Sequence, residues 1–176
     1  NDYEPPIPSL QSCLKDVENM HDAILTHFER KTLGGAFHFY SLLDKEATKE
    51  RILNELADYG DTLSPQDLFI FYFAGHGMHM EDNGKTDYLV PQDYESIGRK
   101  TISAEELLMV FDEYPTERKV LIVDADMNQA VISMMEEKGY AFLSGGQPGQ
   151  NVGDTQEGGI FTVQFADLLR NPVDTS

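Results

Sequence analysis

The chain has 176 residues, 40% of them hydrophobic and 25% charged, a globular composition long enough for one domain with a real core. Its 31 Asp and Glu against 13 Lys and Arg leave a net charge of −18. Such a surface repels phosphate backbones and anionic headgroups, which argues against nucleic-acid and membrane partners; it either serves solubility alone or attracts basic peptides or divalent cations.

No apolar run approaches the roughly 20 residues of a membrane span. The polar, proline-rich start from Asn1 to Leu10 carries no signal-peptide pattern. The single cysteine, Cys13, excludes an intramolecular disulfide framework and a cysteine-rich zinc site. It suits a reducing compartment, so a cytoplasmic location is expected. The chain begins without methionine and reads as a processed product or a fragment.

Short apolar runs alternate with amphipathic patterns, which predicts a single α/β domain with a mostly parallel central sheet flanked by helices. A first helix is predicted over Leu14 to Phe28, where Leu14, Val17, Ile24, Leu25 and Phe28 recur near helical spacing. Gly34-Gly35 breaks the chain, and Phe37 to Leu43 reads as a strand. A second helix is predicted over Thr48 to Tyr59, with Ile52, Leu53 and Leu56 on one face. The unbroken apolar run Leu68 to Phe73 reads as a strand buried on both faces, central in the sheet. A long loop is expected from Gly75 through Gly77 to Thr86, with His79 within it, and then a short strand or hairpin arm over Asp87 to Val90.

Ser103 with Glu106 three residues on forms a capping box for a helix through Phe111. Val120 to Val123 is the second strongly buried strand. A helix around Gln129 to Lys138, a short strand Ala141 to Leu143, and a mobile glycine-rich loop from Gly145 to Gly159 complete the expectation. The last helix, Phe161 to Arg170, turns Phe161, Phe165, Leu168 and Leu169 inward.

Ligands of open α/β sheets bind outside the carboxyl ends of the strands. Two strands end there in polar residues: one in Ala74-Gly75-His76-Gly77, the other in Asp124-Ala125-Asp126. Parallel neighbours would bring His76 and Asp126 together across one edge. The glycines allow a substrate backbone to approach, and the Gly77 amide is a candidate oxyanion donor.

The run Phe69 to Gly77 resembles the histidine motif of the caspase and metacaspase peptidases, a C14 peptidase family. Three more blocks agree in order: Leu10 to Ala23, which is similar to the family's Leu-x-Gly-Cys-x-x-Asp segment; Asp87 to Asp93, reaching Pro-x-Asp; and Gly158-Gly159-Ile160-Phe161-Thr162. The resemblance covers nearly the whole chain and implies the caspase-like (caspase-hemoglobinase) fold. In the family an apolar first strand precedes an Asn-x-Tyr resembling Asn1-Asp2-Tyr3. That strand is apparently absent here, which implies an N-terminally truncated domain over 1–176 or a strand supplied by a partner. An unpaired sheet edge of that kind favours oligomerisation.

The family's second strand ends Asp-x-Cys, whereas this chain reads Asp124-Ala125-Asp126. Aspartate therefore stands where the nucleophilic cysteine is expected. A carboxylate is a far weaker nucleophile toward an amide than a thiolate. Beside His76 it would form a hydrogen bond or ion pair and offer no attacking atom. Cys13 aligns with an additional family cysteine, so it does not replace the nucleophile.

The resemblance implies a catalytically inactive pseudopeptidase that binds a peptide or protein partner. Its basic-specific members place acids around the first substrate side chain, and Asp16 and Asp124 are the matching positions. The alternatives are an active hydrolase in which His76 and Asp126 activate water, with or without a metal, and a C14 cysteine endopeptidase silenced at Asp126. No cofactor and no protein metal site are expected. Calcium is conceivable because some metacaspases depend on it and Asp82, Asp87, Asp93, Asp124 and Asp126 would gather on one rim, but no loop of EF-hand spacing is present. Met127, Met134 and Met135 line a groove beside the site or belong to the core.

Overall fold

The two strongest apolar runs pair with each other. In the computed structural model, which describes residues 3, 7–30, 35–80, 86–96, 99–125, 134–145, 154–155 and 157–172, β1 (Leu68–Ala74) lies parallel to β5 (Arg118–Asp124). Their register runs from Leu68 opposite Arg118 to Ala74 opposite Asp124. On the far side of β5, β6 (Ala141–Ser144) is also parallel, giving the order β1-β5-β6. A second small sheet joins β2 (His76–Met80), β3 (Thr86–Val90) and β4 (Ile102–Ser103), all antiparallel. β7 (Asp154–Thr155) and β8 (Gly158–Gly159) form an antiparallel pair.

Side chains alternate along a strand, so β1 and β5 feed two separate cores. Phe69, Phe71, Leu121 and Val123 face one side and pack with Ile52 and Leu56 of α2 (Lys49–Gly60) and with Leu107, Leu108 and Phe111 of α3 (Ala104–Asp112). Ile70, Tyr72 and Ile122 face the other. They meet Met20 and Ile24 of α1 (Cys13–Arg30) and Phe161, Phe165 and Leu169 of α4 (Ile160–Arg170). The result is an α/β/α sandwich in which each fully buried large side chain contributes about 1.5–3 kcal/mol relative to exposure.

Helix ends are fixed locally. Thr48 caps α2 by accepting from the Arg51 amide at 3.3 Å. Ser103 and Glu106 form the reciprocal box that the sequence predicts, at 3.2 and 2.9 Å. The helix α4 differs: its N-cap is Gly159, which has no side chain to offer.

Several expectations change. The run Leu68 to Phe73 is apolar on both faces, yet β1 sits at the edge of the described sheet and β5 is central. Helices covering both faces demand the same continuous apolarity whether or not a strand lies alongside. The expected strand at Phe37 to Leu43 carries no strand pairing. Extended backbone needs a neighbour to form a ladder, and this segment instead leaves Phe37, Phe39, Tyr40 and Leu43 37–47% exposed. Phe39 meets the His21 ring at 4.1 Å, and the Tyr40 hydroxyl donates to Glu55 at 2.7 Å.

The expected loop after Gly75 is in part a hairpin, since His76 to Met80, including His79, pair with β3. The expected glycine-rich loop contains the β7–β8 pair, with Gly158 and Gly159 buried. Leu168 does not face inward but is 57% exposed. Of the expected helix around Gln129 to Lys138, the described part is helical over 134–137. Met135 is 1% exposed within the core and Met134 packs against it, so both are core residues. Met127 lies outside the described residues.

Candidate functional site

His76 opens β2 directly after β1 ends, and the Gly75 amide between them donates to the Asp124 carbonyl at 3.2 Å. The histidine motif and the end of β5 are thus stitched together at the carboxyl edge of the sheet. Gly75 is needed there, because a Cβ would lie 2.7 Å from the Tyr3 hydroxyl and 2.9 Å from the Phe73 ring. Asp126, two residues beyond Asp124, lies outside the described residues, as do Asp82 and the side chain of Asp87.

The imidazole is held from the N-terminal segment. Its Nε2 lies 2.7 Å from the Pro8 carbonyl oxygen, which can only accept, so Nε2 carries the proton. A neutral His76 then has Nδ1 as its acceptor, the form a general base requires. The Tyr3 ring meets the imidazole edge-on at 4.8 Å. The Tyr3 hydroxyl donates to the Val90 carbonyl at 3.0 Å and accepts from the His76 amide at 3.4 Å, clasping the paired ends of β2 and β3. Burial pushes the Tyr3 phenol up to about 12, so it remains a donor across the ordinary pH range. Gly77 pairs with Leu89 in the same hairpin.

Asp16 and Asp124, which the family resemblance pairs across 108 positions of sequence, both lie at the start of α4. Asp16 is 2% and Asp124 5% exposed. A Cβ built on Gly159 would lie 2.5 Å from Asp124 Oδ2 and 3.4 Å from Asp16 Oδ2, so both carboxylates lie close against Gly159. Glycine at 159 is the condition for that approach. Gly158 beside it has φ +137° and a Cβ there would lie 2.6 Å from Asp16 Oδ1.

Buried carboxylates must be met by donors. Asp16 accepts from the Gly159 amide at 2.7 Å and the Ser12 hydroxyl at 3.0 Å. Asp124 Oδ2 accepts from the Thr162 amide at 3.2 Å and hydroxyl at 2.6 Å. Gly159 and Thr162 are the N-cap and third residue of α4. The two acids therefore replace the missing side-chain cap, where the positive end of the helix dipole favours them. The Tyr72 hydroxyl lies 2.6 Å from Thr162 Oγ1. Burial holds the Tyr72 phenol well above its usual range, and the nearby Asp16 and Asp124 add to this.

Of the expected rim of acids, Asp82, Asp126 and the side chain of Asp87 lie outside the described residues. Asp93 accepts from the Lys49 amide at 2.9 Å and pairs with Lys100 at 3.4 Å, while Asp124 is engaged by α4. Among the described residues no group of three or more His, Cys, Asp or Glu side chains is placed to hold a metal ion.

Sequence reasoning did not find Tyr3, Pro8, Ser12, Tyr72 or Thr162 as site residues. Pro8 acts through a backbone carbonyl, which no side-chain pattern reveals. Tyr3, Ser12, Tyr72 and Thr162 all lie inside the blocks that carry the family resemblance, and that is the signal available for them.

The layered sheet and the histidine edge define a caspase-like α/β domain. The chain superposes on a crystal structure of a Geobacter sulfurreducens protein with TM-score 0.69 at 17% identity, covering 94% of this chain and 75% of that one, a likeness that carries the fold. A family model described as the metacaspase, peptidase C14 domain matches residues 2–138. The chain belongs to that family. It is also similar to Metacaspase-1 of Plasmodium falciparum (isolate 3D7), 29% identical over 101 residues that span 51% of this chain. They span 16% of that relative. Among the described residues no helix is long and apolar enough to cross a membrane.

Proposed function

We propose that this metacaspase-type domain binds a peptide or protein partner through a basic side chain held at Asp16 and Asp124, and does not hydrolyse it. The observation that carries the reading is a pair of carboxylates, Asp16 and Asp124, both buried against the start of α4 beside the histidine edge. A cation placed between them would offset their mutual repulsion and their desolvation, which a neutral side chain would not. The absence of hydrolysis rests on Asp126 standing where the family's thiolate is expected, since a carboxylate beside an imidazole supplies no competent nucleophile toward an amide.

A second reading has its own support. His76 is held with Nε2 protonated by Pro8, which is the tautomer of a base. On that reading His76, with Asp126, activates water, and the Gly77 amide stabilises the oxyanion. The outer edge of β1 is a further candidate contact, for self-association rather than for the peptide.

Fluorogenic peptides with Arg, Lys or Asp before the scissile bond, assayed with and without calcium, separate the readings. The expected result is no turnover by the chain as it stands and Arg-selective turnover by Asp126→Cys, which would supply the missing thiolate beside an intact histidine. Turnover by the unaltered chain that disappears in His76→Ala would instead establish the hydrolase.

A further inference from the structure

Asp124 is not simply a buried acid but the end of a directed chain of hydroxyls. Thr162 Oγ1 lies 2.6 Å from Asp124 Oδ2. A carboxylate cannot donate, so the one Thr162 hydroxyl proton points at Asp124. The Tyr72 hydroxyl, 2.6 Å from the same Thr162 oxygen, must then donate to it. The order is fixed as Tyr72 to Thr162 to Asp124, from β1 through α4 to β5. Thr162 is fully buried, so water does not compete for these bonds. Hydrogen bonds in series polarise one another, and the last, to an ionised acceptor, is the strongest.

We infer that Thr162, backed by Tyr72, is a positioning residue that fixes the Asp124 carboxylate for a basic side chain and so sets the specificity of the site. This rests on the reading of Asp16 and Asp124 as the basic-residue site. Asp16 shares the start of α4 through the Gly159 amide but takes its hydroxyl donor from Ser12, so the Thr162 hydroxyl acts on Asp124 and not on Asp16. Loss of the Thr162 hydroxyl would leave Asp124 with the Thr162 amide on Oδ2 and remove the donor that orients it sideways against Tyr72. A guanidinium would then meet a carboxylate that is less well placed, while a neutral side chain would notice little.

The test uses the whole chain and two fluorescently labelled peptides that differ only in Arg or norleucine at the recognised position, with affinity read by anisotropy. The unaltered chain is expected to prefer Arg. Thr162→Val keeps the shape and removes the hydroxyl, and should lower the Arg affinity about tenfold while norleucine binding is unchanged. Thr162→Ser restores the hydroxyl and should restore the preference, which a purely space-filling role for the threonine would not require.

Retention of the Arg preference in Thr162→Val overturns the inference. Should that variant lose its helical circular dichroism, Tyr72→Phe, which removes only the outer hydroxyl, decides in its place: a weakened Arg preference supports the inference and an unchanged one overturns it. Asp124→Asn separates the two levels. If it abolishes the preference and the hydroxyl variants do not, the positioning role alone is wrong. If the unaltered chain shows no preference for Arg, the basic-site reading falls and this inference falls with it.

Discussion

At the scale of single residues, the Asp16–Asp124 pair depends on an atom that is missing. A Cβ at position 159 would press to 2.5 Å from Asp124 Oδ2, a separation no real Cβ tolerates. Gly159→Ala must therefore displace Asp124 or part α4 from β5, at a cost of about 1–3 kcal/mol. Urea unfolding of the variant should show a lower midpoint with an unchanged slope. An unmoved midpoint would mean that α4 shifts freely and that the pair is not held as tightly as its donors suggest. This sensitivity was partly legible in advance. The Gly-Gly-x-Phe-Thr block stands out in the sequence, but that both glycines are buried against carboxylates from α1 and β5 follows only from the packed fold.

At the scale of elements, the polar ties lie at the joints between layers. Asp112, the last residue of α3, accepts from Lys138 at 2.5 Å and from the Tyr140 hydroxyl at 2.6 Å, joining α3 to the start of β6. These two donors, Lys138 first, hold the Asp112 carboxyl below its ordinary range. A depressed folded value means that the unfolded chain takes up the proton first as pH falls. The stabilisation is therefore present above the unfolded value of about 4 and is lost as pH drops through the folded one. The pair is partly exposed, 46% for the Lys138 side chain and 39% for Asp112, so screening limits its worth to about 1 kcal/mol or less. Asp112→Asn should lower the melting temperature slightly at pH 6 and match the unaltered protein near the acid limit of folding. An equal difference at both pH values would count against the tie.

The elements also show where periodicity reads well and where it does not. The helices were legible because amphipathic spacing and caps are local: the Ser103–Glu106 box occurs as the sequence predicts. The segment from Phe37 to Leu43 has strand composition but no ladder, because a strand is a property of two chains of backbone and not of one.

Across the whole molecule, two forces oppose each other in self-association. Among the described residues β5 is the one strand that pairs with β1, and Phe37, Phe39 and Leu43 are exposed large apolar side chains. Apolar exposure and an open strand edge favour association, while a net charge of −18 keeps copies apart. Salt shortens the reach of that repulsion, from about 30 Å at 0.01 M to about 8 Å at 0.15 M. Self-association measured by sedimentation velocity should therefore grow with ionic strength, and replacing Phe37, Phe39 and Leu43 by serine should weaken it. A sedimentation coefficient that ignores salt, concentration and these substitutions would remove the edge as a contact.

Local pattern and motif encode an α/β chain, the helices and their caps, two strongly buried strands, the histidine motif ending one of them, and aspartate at position 126 where the family's cysteine is expected. Tertiary structure decided which residues share a point in space. It placed β1 at the edge of the described sheet, turned the run after Gly75 into a hairpin, and fixed the His76 tautomer by having Nε2 donate to the Pro8 carbonyl. It also drew Asp16 and Asp124 together at the start of α4. The physical reason is the same in each case: hydrogen-bond partners and close approaches between distant segments depend on packing, and packing is set by both faces of the sheet at once.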